Sequence, residues 1–119
     1  KNEYHYIQGR SDDPKVMIKL LKLLRNQGIH ILFIDGGHKF NNVVADFLTY
    51  SSLVNNNGFI VIDDMLAPSC QEVLTAVEFL KSVAFKDYKV IDYYKDNLYG
   101  ARFPNPVVVG SNEFVLKKI

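Results

Sequence analysis

The chain has 119 residues, enough for one domain with a core of its own and too few for two. Fourteen basic and thirteen acidic side chains leave a net charge of +1. Well-mixed charges of that kind give no electrostatic footprint for nucleic acid or anionic lipid. No apolar run approaches the ~20 residues of a membrane span, so neither nucleic acid nor a membrane is an expected partner. The lone cysteine, Cys70, excludes an internal disulfide and a multi-cysteine zinc site. It makes a reducing, cytoplasmic compartment the expected location.

Along the chain, short apolar runs alternate with helix-period segments, the signature of βαβ units and a parallel sheet. Tyr4 to Ile7 read as a first short strand. Asp12-Asp13-Pro14 open a helix, with a carboxylate at the cap and proline in the first turn. Met17, Leu20, Leu21 and Leu24 form its apolar face, and Gly28 is its expected stop. Ile29 to Ile34 is an almost unbroken apolar run, as suits a central parallel strand buried on both faces. The next helix carries Val43, Val44, Phe47 and Leu48 on one side and leads to a turn at Asn55-Asn56-Asn57-Gly58. Phe59 to Ile62 form the next central strand.

Ser69-Cys70-Gln71-Glu72 reads as a capping box for a third helix with Val73, Ala76, Val77 and Leu80 toward the core. Tyr88 to Tyr94 form a further strand. Val107 to Val109 and Glu113 to Lys118 are extended segments that close the sheet as a hairpin or antiparallel edge pair. Asn97 to Pro106 form an irregular loop in which Tyr99, Arg102 and Phe103 are candidate acceptor contacts.

In open α/β sheets, ligands bind beyond the carboxyl ends of the parallel strands. Asp35 ends one strand and Asp63 with Asp64 ends the next. At an interstrand spacing of about 4.8 Å the three carboxylates converge. Their repulsion raises at least one pKa unless a hard divalent cation such as Mg²⁺ neutralises it. Taken singly, each aspartate reads first as a cap on the following helix, and only the three together point to a cation. Gly36-Gly37 allow a tight turn after Asp35 and bring His38 over the same mouth, where an imidazole suits general-base work. His38 also reads as a helix N-terminal residue bonding only locally. His30 reads as a core histidine, and His5 carries no further signal.

The stretch LFIDGGHKFNNVVADFLTYSSLVNNNGFIVIDDM resembles metal-dependent class I S-adenosylmethionine O-methyltransferases, which carry FIDG-x-H-x-Y…D…Y…L-x-x-G-G-x-I-x-x-D-D. Sugar O-methyltransferases of macrolide and aminocoumarin biosynthesis and cephalosporin-hydroxylase-like proteins are members of this group. The likeness runs from residue 4 to about 82, with Phe40 in place of tyrosine and Asn57 in place of the first glycine of the pair. It implies a Rossmann-like, three-layer α/β sandwich with a mostly parallel sheet and an antiparallel edge, of which residues 1–119 form one partial, C-terminal domain. It further implies Mg²⁺ on Asp35, Asp63 and Asp64, and His38 as general base. Gly9, Arg10, Ser11 and Asp12 then correspond to a loop contacting the adenine of S-adenosylmethionine, and the substrate is a small-molecule hydroxyl.

Such domains hold the methionine and ribose of the cofactor with a glycine-rich loop after their first strand and a carboxylate ending the second. Neither precedes Tyr4 in these residues, so the isolated chain is expected to be inactive. One alternative is a truncated, non-catalytic module that forms a homo-oligomer across its exposed sheet edge. A phosphotransfer receiver is disfavoured, because its acidic pair follows the first strand and a late strand ends in lysine.

Overall fold

Asp13 sits in extended backbone and its side chain accepts from the Lys15 amide at 2.9 Å. With proline at the first helical position, it starts α1 (Pro14–Leu24) as the sequence predicts. The helix stops earlier than Gly28. Arg25 and Asn26 adopt left-handed backbone (φ 51° and 67°), and the Arg25 N–H bonds back to Leu21. Gly28 serves close approach instead, since a Cβ there would lie 1.8 Å from Asn55 Oδ1.

The computed structural model describes residues 3–64, 68–91 and 113–119. After α1 come β1 (Ile29–Ile34), α2 (Phe40–Tyr50), a 3-10 turn, β2 (Val54–Ile62), a second 3-10 turn (Pro68–Cys70), α3 (Gln71–Val83), β3 (Tyr88–Ile91) and β4 (Phe114–Lys118). The sheet order is β1-β2-β4-β3. β1 and β2 are parallel, while β4 runs antiparallel to both β2 and β3. Three of the four strands therefore point the same way, in a Rossmann-like α/β arrangement. Asn97 to Pro106, Val107 to Val109 and the end of the strand read to Tyr94 lie outside the described residues.

One face of the sheet carries Ile34, Ile60, Ile62 and Leu116. Against it pack Val43 and Phe47 of α2 and Val73, Ala76, Val77 and Leu80 of α3, forming one continuous core. Phe47 meets Phe85 and Tyr88 at ring distances of 5.5 and 5.7 Å, which ties α2 to the start of β3. The opposite face carries Ile31, Phe33, Phe59, Val61 and Val115 by register. Lys117 lies over the Phe59 ring at 5.9 Å, laying its aliphatic stem on apolar surface.

Five further local expectations are corrected, the first being His30, which is exposed rather than a core residue. Tyr4 to Ile7 form no strand, and Tyr4 and Tyr6 are almost fully exposed. Side-chain alternation cannot hold a strand that has no neighbour to accept its backbone hydrogen bonds. β1 is not buried on both faces, because α2 and α3 pack on the Ile34 side of the sheet and on the other side Ile31 is 63% and Phe33 54% exposed. Asn55 to Gly58 make no free turn. They are a bulge within β2, where pairing jumps from Ile29↔Val54 to Ile31↔Phe59 and Asn57 takes φ 67°. The capping box does not form either. Cys70 is the N-cap of α3 without a side-chain cap bond, and Glu72 is drawn away to another helix, as described next.

Candidate functional site

The β1–β2 ladder continues past the strand ends, with the Asp63 amide donating to the Ile34 carbonyl at 3.1 Å. Asp35 and Asp63 therefore leave the sheet side by side. A carboxylate oxygen from each of Asp35, Asp63 and Asp64 lies within 4.8 Å of the others. Asp64 occupies left-handed backbone at φ 63°, a costly conformation for a non-glycine residue. This turn sends its carboxylate toward His38, whose Nε2 lies 2.9 Å from Asp64 Oδ2.

A fourth carboxylate, not singled out from the sequence, joins them. Because Ile62 pairs with Phe114 in the antiparallel β2–β4 ladder, Glu113 comes opposite Asp63. Desolvation, then repulsion from and hydrogen bonding to Asp63, raises the Glu113 pKa. Asp35 is likewise raised, first by desolvation and then by the charges of Asp63 and Asp64. The mouth thus concentrates negative charge that the protein only partly offsets.

His38 is carried there by the start of α2. That helix has Lys39 at its N-cap with no side-chain cap bond of its own. Glu72 of α3 supplies the missing acceptor, taking the Phe40 amide at 3.1 Å, and pairs with Lys39 at 3.5 Å. The amide bond, followed by the Lys39 charge, lowers the Glu72 pKa. The aromatic contact of Phe40 with Phe79, 5.5 Å between ring centres, fastens the same junction.

Gly9, Arg10, Ser11 and Asp12 form a built loop beside this mouth. Gly9 has φ 142°, and a Cβ there would lie 2.6 Å from Val16. Arg10 grips Asp12 through two hydrogen bonds of 2.9 Å, and this holds Asp12 below the usual carboxylate range. The pair is exposed, so its contribution to stability is small. Ser11 Oγ donates to Asp46 Oδ1 at 2.6 Å, and Tyr50 Oη donates to the Ser11 carbonyl at 2.5 Å.

Asp46 also touches the glycine turn, since a Cβ on Gly36 would lie 3.3 Å from its Oδ2. One face of α2, through Asp46 and Tyr50, therefore links the loop at Ser11 to the turn after Asp35. Their i, i+4 spacing was the available sequence signal. Removing the hydroxyl by Tyr50→Phe is expected to cost about 0.5–1.5 kcal/mol in denaturant unfolding. Faster amide exchange in residues 9–12 should accompany it, and unchanged exchange there would deny Tyr50 this anchoring role.

Among the described residues no helix is long and apolar enough to cross a membrane. A family model described as "Methyltransferase domain" matches residues 1–65, more than half of the 119. The match takes in the loop, β1, the glycine turn, α2, β2 and the paired aspartates. "Uncharacterized protein R132" of Acanthamoeba polyphaga mimivirus is 34% identical over 115 residues, covering 88% of this chain and 51% of that protein. The chain thus spans about half the length of this curated relative. With an α/β sheet of the expected kind and a family match over more than half of its length, the chain belongs to the methyltransferase domain family.

Proposed function

We propose that the chain is the metal- and acceptor-binding half of an S-adenosylmethionine-dependent, Mg²⁺-assisted O-methyltransferase. The observation that carries this reading is the convergence of Asp35, Asp63 and Asp64 with His38 against Asp64. The donor set is hard oxygen, and the raised Asp35 marks charge that a cation would relieve. Bound there, Mg²⁺ supplies charge neutralisation and lowers the pKa of an acceptor hydroxyl. The carboxylates orient that hydroxyl, and His38 takes its proton at a ring nitrogen. Gly9, Arg10, Ser11 and Asp12 line the adenine side. The acceptor is a small-molecule hydroxyl, and the compartment is the cytoplasm.

Calorimetric titration with Mg²⁺ tests the site. The unaltered protein should give a binding heat that Asp63→Ala/Asp64→Ala loses, and equal heats would dismiss the site.

The pH dependence has a definite sign. Asp35 and Glu113 have raised pKa values. The folded state therefore holds more protons than the unfolded chain between the two sets of values, and stability falls as pH rises through that window. Mg²⁺ competes with those protons and relieves the repulsion. Its stabilising increment in Tm should be near zero at about pH 4, where ordinary carboxylates titrate, and should grow toward neutrality. The lowered Asp12 and Glu72 affect both samples equally and cancel in the increment. An increment that is flat with pH would exclude the raised carboxyls from the metal site.

A second reading, a non-catalytic homo-oligomer joined through β1, is favoured by the exposed Ile31 and Phe33 on that edge strand. Sedimentation equilibrium separates the two, since a monomer at micromolar concentration eliminates this reading.

A further inference from the structure

We propose that His38, Asp64 and Cys70 form a second, softer metal site, taking Zn²⁺ or a similar transition ion, which overlaps the Mg²⁺ site at Asp64. One ligand atom from each of the three lies within 4.8 Å of the others, and His38 Nε2 and Asp64 Oδ2 are already 2.9 Å apart. Tetrahedral zinc with imidazole, carboxylate and thiolate bonds of 2.0–2.3 Å sets its ligand atoms about 3.3–3.6 Å apart. To reach that spacing the thiol closes by up to about 1.5 Å and His38 and Asp64 part by about 0.4 Å.

The donor set differs in kind from Asp35, Asp63 and Asp64. One nitrogen, one sulfur and one oxygen match a borderline ion, whereas Mg²⁺ prefers oxygen alone. Cys70 is buried and lies at the back, with Ser69 Oγ 3.7 Å from its sulfur. His38 and Asp64, at 52% and 24% side-chain exposure, form the open side through which an ion enters. Three protein ligands leave the fourth position to water, and the thiol proton passes to solvent on binding.

The proposal shares Asp64 and His38 with the methyl-transfer reading but does not depend on it. Where both hold, they conflict. An ion on His38 Nε2 and Asp64 takes one carboxylate from Mg²⁺ and occupies the imidazole nitrogen that faces the site. Zinc would then switch the Mg²⁺-dependent reaction off.

Because the sequence holds a single cysteine, any thiolate-to-metal signal belongs to Cys70. Co²⁺ titrated into the full chain in millimolar Mg²⁺ should raise a near-ultraviolet thiolate charge-transfer band at 1:1 stoichiometry. Zn²⁺ should bleach it by displacement. The band should vanish in Cys70→Ser and persist in Asp35→Asn, which touches only the oxygen site. In His38→Asn, on an exposed side chain whose loss does not threaten folding, Co²⁺ affinity should fall at least about tenfold. Co²⁺ binding without the band would place the ion on carboxylates alone and overturn the proposal. So would the absence of Co²⁺ binding, or a band of unchanged affinity in His38→Asn. A failed Methyltransferase assay would bear on the other reading and leave the band unaffected.

Discussion

A polypeptide of these 119 residues is expected to bind S-adenosylmethionine no more tightly than millimolar, and to methylate no acceptor. Resemblance to the O-methyltransferases assigns most of the cofactor's hold to backbone donors of a glycine-rich loop and to a ribose-binding carboxylate. Each hydrogen bond to a charged group contributes about 1.5–3 kcal/mol. Losing two or three weakens binding by roughly two to six orders of magnitude. The loop at Gly9 to Asp12 does not replace them. Its Arg10 and Asp12 side chains are engaged with each other and its Ser11 hydroxyl with Asp46. Equilibrium dialysis against labelled cofactor checks the result. A longer polypeptide, of the length of the mimivirus relative and with a glycine-rich turn after a strand, should bind in the micromolar range. Micromolar binding by the 119 residues alone would overturn the expectation and turn attention to a second subunit supplying the missing donors.

The strand ends were legible because an apolar run that halts at an acidic residue is a local pattern, and adjacent parallel strands bring their carboxyl ends to the same edge of the sheet. Asp35, Asp63 and Asp64 come together for that reason. Glu113 was not legible. Its place opposite Asp63 requires β4 to insert antiparallel beside β2, a pairing across more than fifty residues that no local period announces. Glu72 shows the opposite failure. Its spacing from Ser69 fits a capping box, yet the orphan amide of Phe40 on α2 competes for the same carboxylate and wins. The bulge at Asn55 to Gly58 is similar, because turn-forming residues mark a backbone irregularity without saying whether the strand ends or merely bends there. Each miss is a tertiary partner overriding a sound local preference.

The helix α2 tests the same point energetically. Four apolar residues, Val43, Val44, Phe47 and Leu48, read as one face, but the structure turns the helix so that Val43, Phe47 and Tyr50 are buried and Leu48 is 55% exposed. Tyr50 accounts for the rotation, because its ring joins the buried stripe while its hydroxyl reaches the Ser11 carbonyl. Phe47→Ala should therefore cost about 3–5 kcal/mol, since it opens a cavity bounded by Phe85 and Tyr88. Against a total stability of roughly 5–15 kcal/mol, that leaves the variant partly unfolded or steeply destabilised. Leu48→Ala should stay within about 0.5 kcal/mol, as for surface substitutions. Urea denaturation of the two variants decides it, read from midpoints at unchanged slope. Comparable losses would mean that α2 packs on the broader face the sequence suggests. Asp46 and Tyr50 would then be turned away from Ser11, and the link between the loop and the acidic mouth would be lost with them.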